Sequence, residues 1–272
     1  MDDKRIAVLI DADNVSSKYI SNIMNEVSNH GTPTYKRIYG DWTSVKMSSW
    51  KDVLLEHSVS PMQQYSYTTG KNATDSALII DAMDILYSGK VDGFCIVSSD
   101  SDFTKLASRL REAGMLVIGM GEKKTPVPFR AACDMFKYLE VLASVTGGNG
   151  KGVEKETAHE EAAHGEAAHK EKGAPDAADA AAKKAPPNNR ERAKLIRTIR
   201  TIVNEISDED GWAFLGELGS VLNRRLPDFD SRNYGAMKLT PLIESLGSFD
   251  IESRKTSNPH VTHKYIRNRD KG

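Results

Sequence analysis

An α/β fold, built on a doubly wound parallel sheet and followed by a smaller winged-helix unit, is predicted by three observations. Residues 6–10 (IAVLI) and 94–97 (FCIV) are apolar runs without alternation, the pattern of strands buried on both faces. Amphipathic helical stretches fall between such runs, so strand and helix alternate through the first half of the chain. Composition then shifts at residue 146 into an Ala-, Glu-, Lys- and Gly-rich tract with almost no large apolar residue, which cannot bury enough surface to offset chain entropy. The expected division is therefore 1–145, a linker over 146–189, and a second unit over 190–272.

Taken in order, the first strand runs straight into Asp11, Asp13 and Asn14. A helix over 17–30 follows, with Ile20, Ile23, Met24 and Val27 inward and Gly31 closing it. Residues 34–39 form a strand and 50–57 a helix. Residues 59–68 (VSPMQQYSYT) form an edge-like strand, because Pro61 cannot donate to a central ladder. Thr74 or Asp75 opens a helix carrying Ala77, Leu78, Ile80, Ala82, Met83, Ile85 and Leu86. The strand at 94–97 leads into Ser98, Ser99, Asp100, Ser101 and Asp102. A helix with Phe103, Leu106, Ala107 and Leu110 on one face comes next. A strand over 115–121 and a last helix over 128–139 complete the unit.

Two strand ends carrying carboxylates raise one question. Capping by Asp13 or Ser16 would account for the first segment alone, but open α/β sheets place ligands at the strand C-termini. A helix N-terminus in such a fold points to the same edge, so Asp11, Asp75, Asp100 and Asp102 are expected to converge. Converging carboxylates raise one another's pKa and become favourable together chiefly around a hard divalent cation. Oxygen-only ligation suits Mg²⁺ or Mn²⁺. The chemistry reached is metal-assisted phosphoryl hydrolysis.

Composition narrows the classes. The net charge is −1 and no apolar run approaches a membrane span, so a soluble globular protein with no membrane partner is expected. The opening MDDKRIAVLI is no secretory signal, and Cys95 and Cys133 sit in apolar surroundings, which fits core thiols in a reducing, cytoplasmic setting. His159, His164 and His169 recur every five residues, a spacing that scatters imidazoles around a helix, so this repeat reads as polar tether and not as a metal site. Residues 190–272 hold 15 Lys+Arg against 12 Asp+Glu, a weak pointer to a polyanion.

In that last segment Leu195, Ile199, Ile202, Val203 and Ile206 form a helical stripe. Helices at 214–222 and 237–246, then strands at 249–252 and 264–267, fit a winged helix.

Four ordered motifs, VLIDADN, GKNATDSALIIDAMD, CIVSSDSDFTKLASRLREAGMLVIGMG and PFRAACDMFKYLE, together resemble the NYN domain, a PIN-like family of metal-dependent ribonucleases. The resemblance covers residues 5–140. It implies metal coordination and water activation by Asp11, Asp75, Asp100 and Asp102, with Asp13, Asn14, Asp81 and Ser98 in support. Where many members carry Gly-Val before the helix Asp, this chain has Asn72, Ala73 and Thr74, which alters the loop presenting Asp75. Lys71 and Arg130 are candidates to meet RNA phosphate, and solvated or helix-end roles suit them equally. Trp212, Leu215, Leu218, YGAMKLTPLIESL and FDIE resemble the OST-HTH (LOTUS) domain, whose members bind RNA or, in some cases, protein helicases. That resemblance makes Arg224, Arg225, Arg232, Tyr234 and Lys238 the expected phosphate and base contacts.

The function so implied is an RNA endonuclease dependent on Mg²⁺ or Mn²⁺, with substrate recruited by the C-terminal unit. Two other classes compete: a non-catalytic RNA- or protein-binding regulator, and a phosphatase of the haloacid dehalogenase type. Asp11 and Asp13 suit the phosphatase, but SSDSDF does not. A homodimer is expected if one acidic pocket offers too little basic surface to hold RNA.

Overall fold

The computed structural model describes residues 3–64, 73–146, 189–255 and 262–269. Lys71 and the three spaced histidines lie outside these ranges, as does nearly all of the expected linker.

Six parallel strands form the first sheet in the order β3-β2-β1-β4-β5-β6. They are β1 Arg5–Asp11, β2 Thr32–Gly40, β3 Ser60–Gln63, β4 Gly93–Val97, β5 Leu116–Gly121 and β6 Met135–Tyr138. The helices between them are α1 Ile20–Ser28, α2 Ser48–Glu56, α3 Ala73–Ser88, α4 Thr104–Glu112, α5 Val127–Ala132 and α6 Leu139–Thr146. Strand order reverses direction between β1 and β4, which opens a crevice beyond their C-terminal ends.

The apolar runs do what their lack of alternation implies. Along β1, Ile6, Val8 and Ile10 pack with Ile20, Ile23, Trp50 and Leu142 on one side of the sheet. Ala7 and Leu9 pack with Leu78, Ala82, Leu106 and Phe129 on the other. All five β1 residues are 0% exposed, and such burial contributes on the order of 10 kcal/mol before entropy is subtracted. That is enough to hold the next residue, Asp11, out of water as well. Pro61 sits on β3, at the sheet edge as expected. Cys95 and Cys133 are buried free thiols, their pKa values raised by desolvation.

One expectation is corrected. The helix anticipated over 128–139 is broken: α5 stops at Ala132, Cys133 is extended at φ −88°, ψ 157°, and β6 follows. The cause is a carboxylate. Asp134 accepts a hydrogen bond from the Val117 amide at 2.9 Å and pairs with Arg111, drawing the chain alongside β5. Phe136 then packs edge-on against Phe129 and Tyr138, giving the sheet its sixth strand.

The second unit comprises α7 Asn189–Ile206, β7 Ala213–Phe214, α8 Leu215–Arg225, α9 Leu239–Leu246, β8 Phe249–Lys255 and β9 Thr262–Asn268. Its antiparallel sheet has the order β7-β9-β8. Leu195, Ile199, Ile202 and Val203 meet Leu218, Leu222, Leu242 and Ile266 in a separate core. No described helix is long and apolar enough to cross a membrane.

Candidate active site

Asp11 ends β1 and is 0% exposed. Its buried carboxylate accepts from the Ser98 hydroxyl at 2.7 Å, the Asn14 side-chain amide at 2.8 Å and the Asp13 backbone amide at 3.1 Å. Desolvation nevertheless wins and raises its pKa. Ser98, also fully buried, is the bridge between strand ends, since its Oγ in turn accepts from the Asp100 amide at 3.0 Å. Asp100 caps the turn that starts the next helix, accepting from the Asp102 amide at 2.9 Å.

Above this floor three carboxylates gather. Asp75, in the first turn of α3, presents an oxygen that lies, with oxygens of Asp100 and Asp102, in a group no wider than 4.8 Å. Asp75 and Asp100 are half-buried and Asp102 exposed. Burial and then the charges of Asp11, Asp100, Asp102 and Asp13 push the Asp75 carboxyl up to about 6. Among the described residues the expected convergence brings Asp75, Asp100 and Asp102 into one group, and Asp11 stands outside it with its carboxylate accepting from Ser98, Asn14 and Asp13.

Asp81 is held elsewhere. It pairs with the Arg37 guanidinium and accepts from the Tyr39 hydroxyl. Tyr39 lies opposite Asp11 in the β1–β2 register, so this cluster ties the middle of α3 to β2 beside the site. Arg37 and Tyr39 had no place in the sequence reading. Their spacing of two along a strand put both on one face, and that was the signal available.

The donor set fits a hard divalent cation. It is all oxygen, clustered and partly open to water, and its members repel one another unless a positive charge is supplied. Asp75, Asp100 and Asp102 would hold the ion.

A close backbone approach supports the same corner. A Cβ at Gly121 would stand 2.5 Å from the Ser98 carbonyl and 2.6 Å from Thr125 Oγ1. Gly121→Ala is therefore expected to shift Ser98 and to cost about 1–3 kcal/mol of stability, measured by urea denaturation. An unchanged midpoint would show that the corner yields freely.

The expected RNA contacts divide. Arg224 and Lys238 are exposed, and Arg225 pairs with Glu205. Tyr234 is half-buried against Phe229, with its phenol pKa raised by burial. Arg130 and Arg232 face carboxylates, not solvent. Arg130 pairs with Asp228 and hydrogen-bonds Tyr138. Arg232 donates to Glu26 at 3.0 and 3.1 Å and to Asp230 at 2.7 and 2.9 Å. Lys137 bonds Asp230 at 2.8 Å, and the Phe136 amide donates to the Pro227 carbonyl at 2.8 Å. The second unit thus docks on β6 through its α8–α9 connection, and a cavity of about 620 Å³ lies between the units.

Burial opposes the Glu26 charge, but His30, Arg232 and Lys137 hold its carboxyl down at about 2. Asp230 is lowered too, its burial outweighed by Arg232 and Lys137. A depressed carboxylate stabilises above its unfolded pKa, near 4.5 for Glu26, and that stabilisation fades as pH falls towards about 2. The stability gap between wild type and Glu26→Gln should therefore be full at pH 6 and shrink below pH about 4.5. A gap independent of pH in urea titrations would remove Glu26 from the linkage.

Comparison with known proteins follows the same division. The NYN domain model matches residues 5–140, half of the chain, and the OST-HTH/LOTUS domain model matches residues 189–261. A crystal structure of a protein of unknown function from Vibrio parahaemolyticus is 19% identical, with TM-score 0.43, covering 50% of this chain and 93% of that one. A solution structure of an uncharacterized protein from Nitrosomonas europaea is 28% identical, with TM-score 0.27, covering 38% and 94%. No curated protein matches. With residues 5–140, half of its length, matched by the family model, the chain belongs to the NYN domain family and carries an OST-HTH/LOTUS domain behind it.

Proposed function

We propose that this protein hydrolyses RNA phosphodiesters with a divalent cation, Mg²⁺ or Mn²⁺, and that its OST-HTH domain engages the substrate. The observation that carries the reading is the trio of carboxylate oxygens within 4.8 Å at the crevice between β1 and β4. A cation held there supplies stabilisation of charge on the phosphoryl oxygens and a more acidic water.

The chain's own groups divide the remaining work. Asp75 completes the set that would hold the ion, and the repulsion that pushes its carboxyl up to about 6 in the ion-free fold is what a bound cation would relieve. Asp100 is oriented by the Ser98 hydroxyl through its amide, and Asp11 fixes Ser98 from below. Asn14 and Asp13 keep the Asp11 carboxylate from swinging. Asp81, tied to Arg37 and Tyr39, positions α3 and hence Asp75.

The test is cleavage of an end-labelled single-stranded RNA pool with Mn²⁺, with Mg²⁺ and with EDTA, comparing wild type and Asp100→Asn. Cutting that needs metal and disappears in the variant supports the reading. Cutting that persists in the variant or in EDTA refutes it. Binding without cutting under all conditions turns the protein into a regulator with an inactive acidic crevice.

A further inference from the structure

Docking through the α8–α9 connection turns Arg232 and Tyr234 towards the first domain and leaves another face of the OST-HTH domain uncovered. The inner face of its sheet carries Ala213 and Ile266, both buried, with Ile251 beside them. Strand alternation puts Phe214, Asp250, Glu252, Arg254, His263, Tyr265 and Arg267 on the outer face, and Trp212 precedes β7 on the same side. None of the contacts described between the two domains involves these eight residues.

Their mutual arrangement is specific. The Arg254 guanidinium lies over the Tyr265 ring at 4.5 Å and the Trp212 ring at 5.3 Å, and Arg267 lies over Trp212 at 4.7 Å. Phe214 stands 4.9 Å from His263 and 5.9 Å from Tyr265, yet it remains 37% exposed. On the same face Glu252 bonds Arg254 at 3.1 Å and Asp250 approaches Arg267 at 3.7 Å, which tethers both guanidiniums beside the rings.

We propose that this outer sheet face is a stacking platform for single-stranded RNA, on which bases lie against the aromatic rings and guanidinium planes. The inference rests on the RNA-directed reading above and assigns that reading a surface. Aromatic rings offer every base a π-face, and arginine planes stack on bases while attracting phosphate. The pattern of outward positions contains no aliphatic side chain, whereas the core of a protein-protein interface needs apolar bulk to exclude water. Flat rings and fixed cations without aliphatic filling match nucleobases better than a folded partner.

The experiment uses the full chain in EDTA, so that binding is read without cutting, and labelled oligouridylate and oligoadenylate of about 15 nucleotides. Anisotropy should show binding that weakens about tenfold or more in Phe214→Ser/Arg267→Glu. Arg224→Glu/Lys238→Glu, on the helical side, should lose less. Crosslinking of wild type with 4-thiouridine RNA supplies a readout independent of folding in the variants, and its adducts should map to residues 212–214 and 263–267. Adducts on α8 and α9, or a loss confined to the helical-side variant, overturn the platform while leaving the RNA reading intact. Absence of binding by wild type overturns both.

Discussion

Replacing Asp75 by asparagine is expected to lower RNA cleavage on the order of a thousandfold and, in metal-free buffer, to make the protein more stable. The two effects share one cause. Asp75 brings charge to a half-buried place already occupied by Asp11, Asp100 and Asp102, and the repulsion that raises its pKa to about 6 is strain in the ion-free fold. Removing that charge relieves about 1 kcal/mol, or about 2–4 °C in the thermal midpoint of a domain this size. Mn²⁺ should then raise the midpoint of wild type, which has the carboxylates to bind it, by several degrees, and move the variant far less. Differential scanning fluorimetry with and without Mn²⁺ reads the stability half, and gel cleavage reads the other. A variant that melts lower than wild type in EDTA, or one that cuts normally, would take Asp75 out of the site.

The second large effect lies away from the acids. Arg232→Ala should release the OST-HTH domain, because it strips the guanidinium from Glu26 and Asp230, both under 10% exposed, and leaves them Lys137, His30 and the backbone amide of residue 232. Breaking a buried ion network by removing one partner costs about 3–5 kcal/mol, a loss to be met by the remaining contacts of Arg130 with Asp228, Lys137 with Asp230 and Phe136 with Pro227. Small-angle scattering should show a larger radius of gyration and thermal unfolding should separate into two transitions. Arg225→Ala is the control. Its partner Glu205 is 45% exposed, so its loss should cost less than about 1 kcal/mol and leave the shape unchanged. Equal compactness of the Arg232 variant and wild type would mean that the apolar and hydrogen-bonded parts of the contact suffice.

Much of the catalytic corner was legible because local pattern carried it. Unbroken apolar runs announced two buried strands, and the residue after each strand could point only to one sheet edge, so Asp11 and Asp100 were placed together by topology alone. Asp75 followed from the rule that helix starts share that edge. What local pattern could not show was which carboxylate sinks and which stays near water. That depends on Ser98 and Asn14 closing over Asp11, a matter of side-chain reach. Strand β6 was hidden because MFKY fits a helix as well as a strand until Asp134 finds the Val117 amide. The docking was out of reach for a different reason. Arg232 and Glu26 stand 206 residues apart, and each reads alone as an ordinary surface charge.

The bond from the Phe136 amide to the Pro227 carbonyl has a consequence for solubility. Strand β6 is the last of its sheet, and an uncovered parallel edge is a template on which another chain can add a strand. The docked domain shields that edge, so the same event that would free it to search for RNA would also bare a site for self-association. Concentrated protein, low pH or loss of Arg232 should then favour aggregates grown through β6, and saturating RNA should do so only if binding pulls the two domains apart.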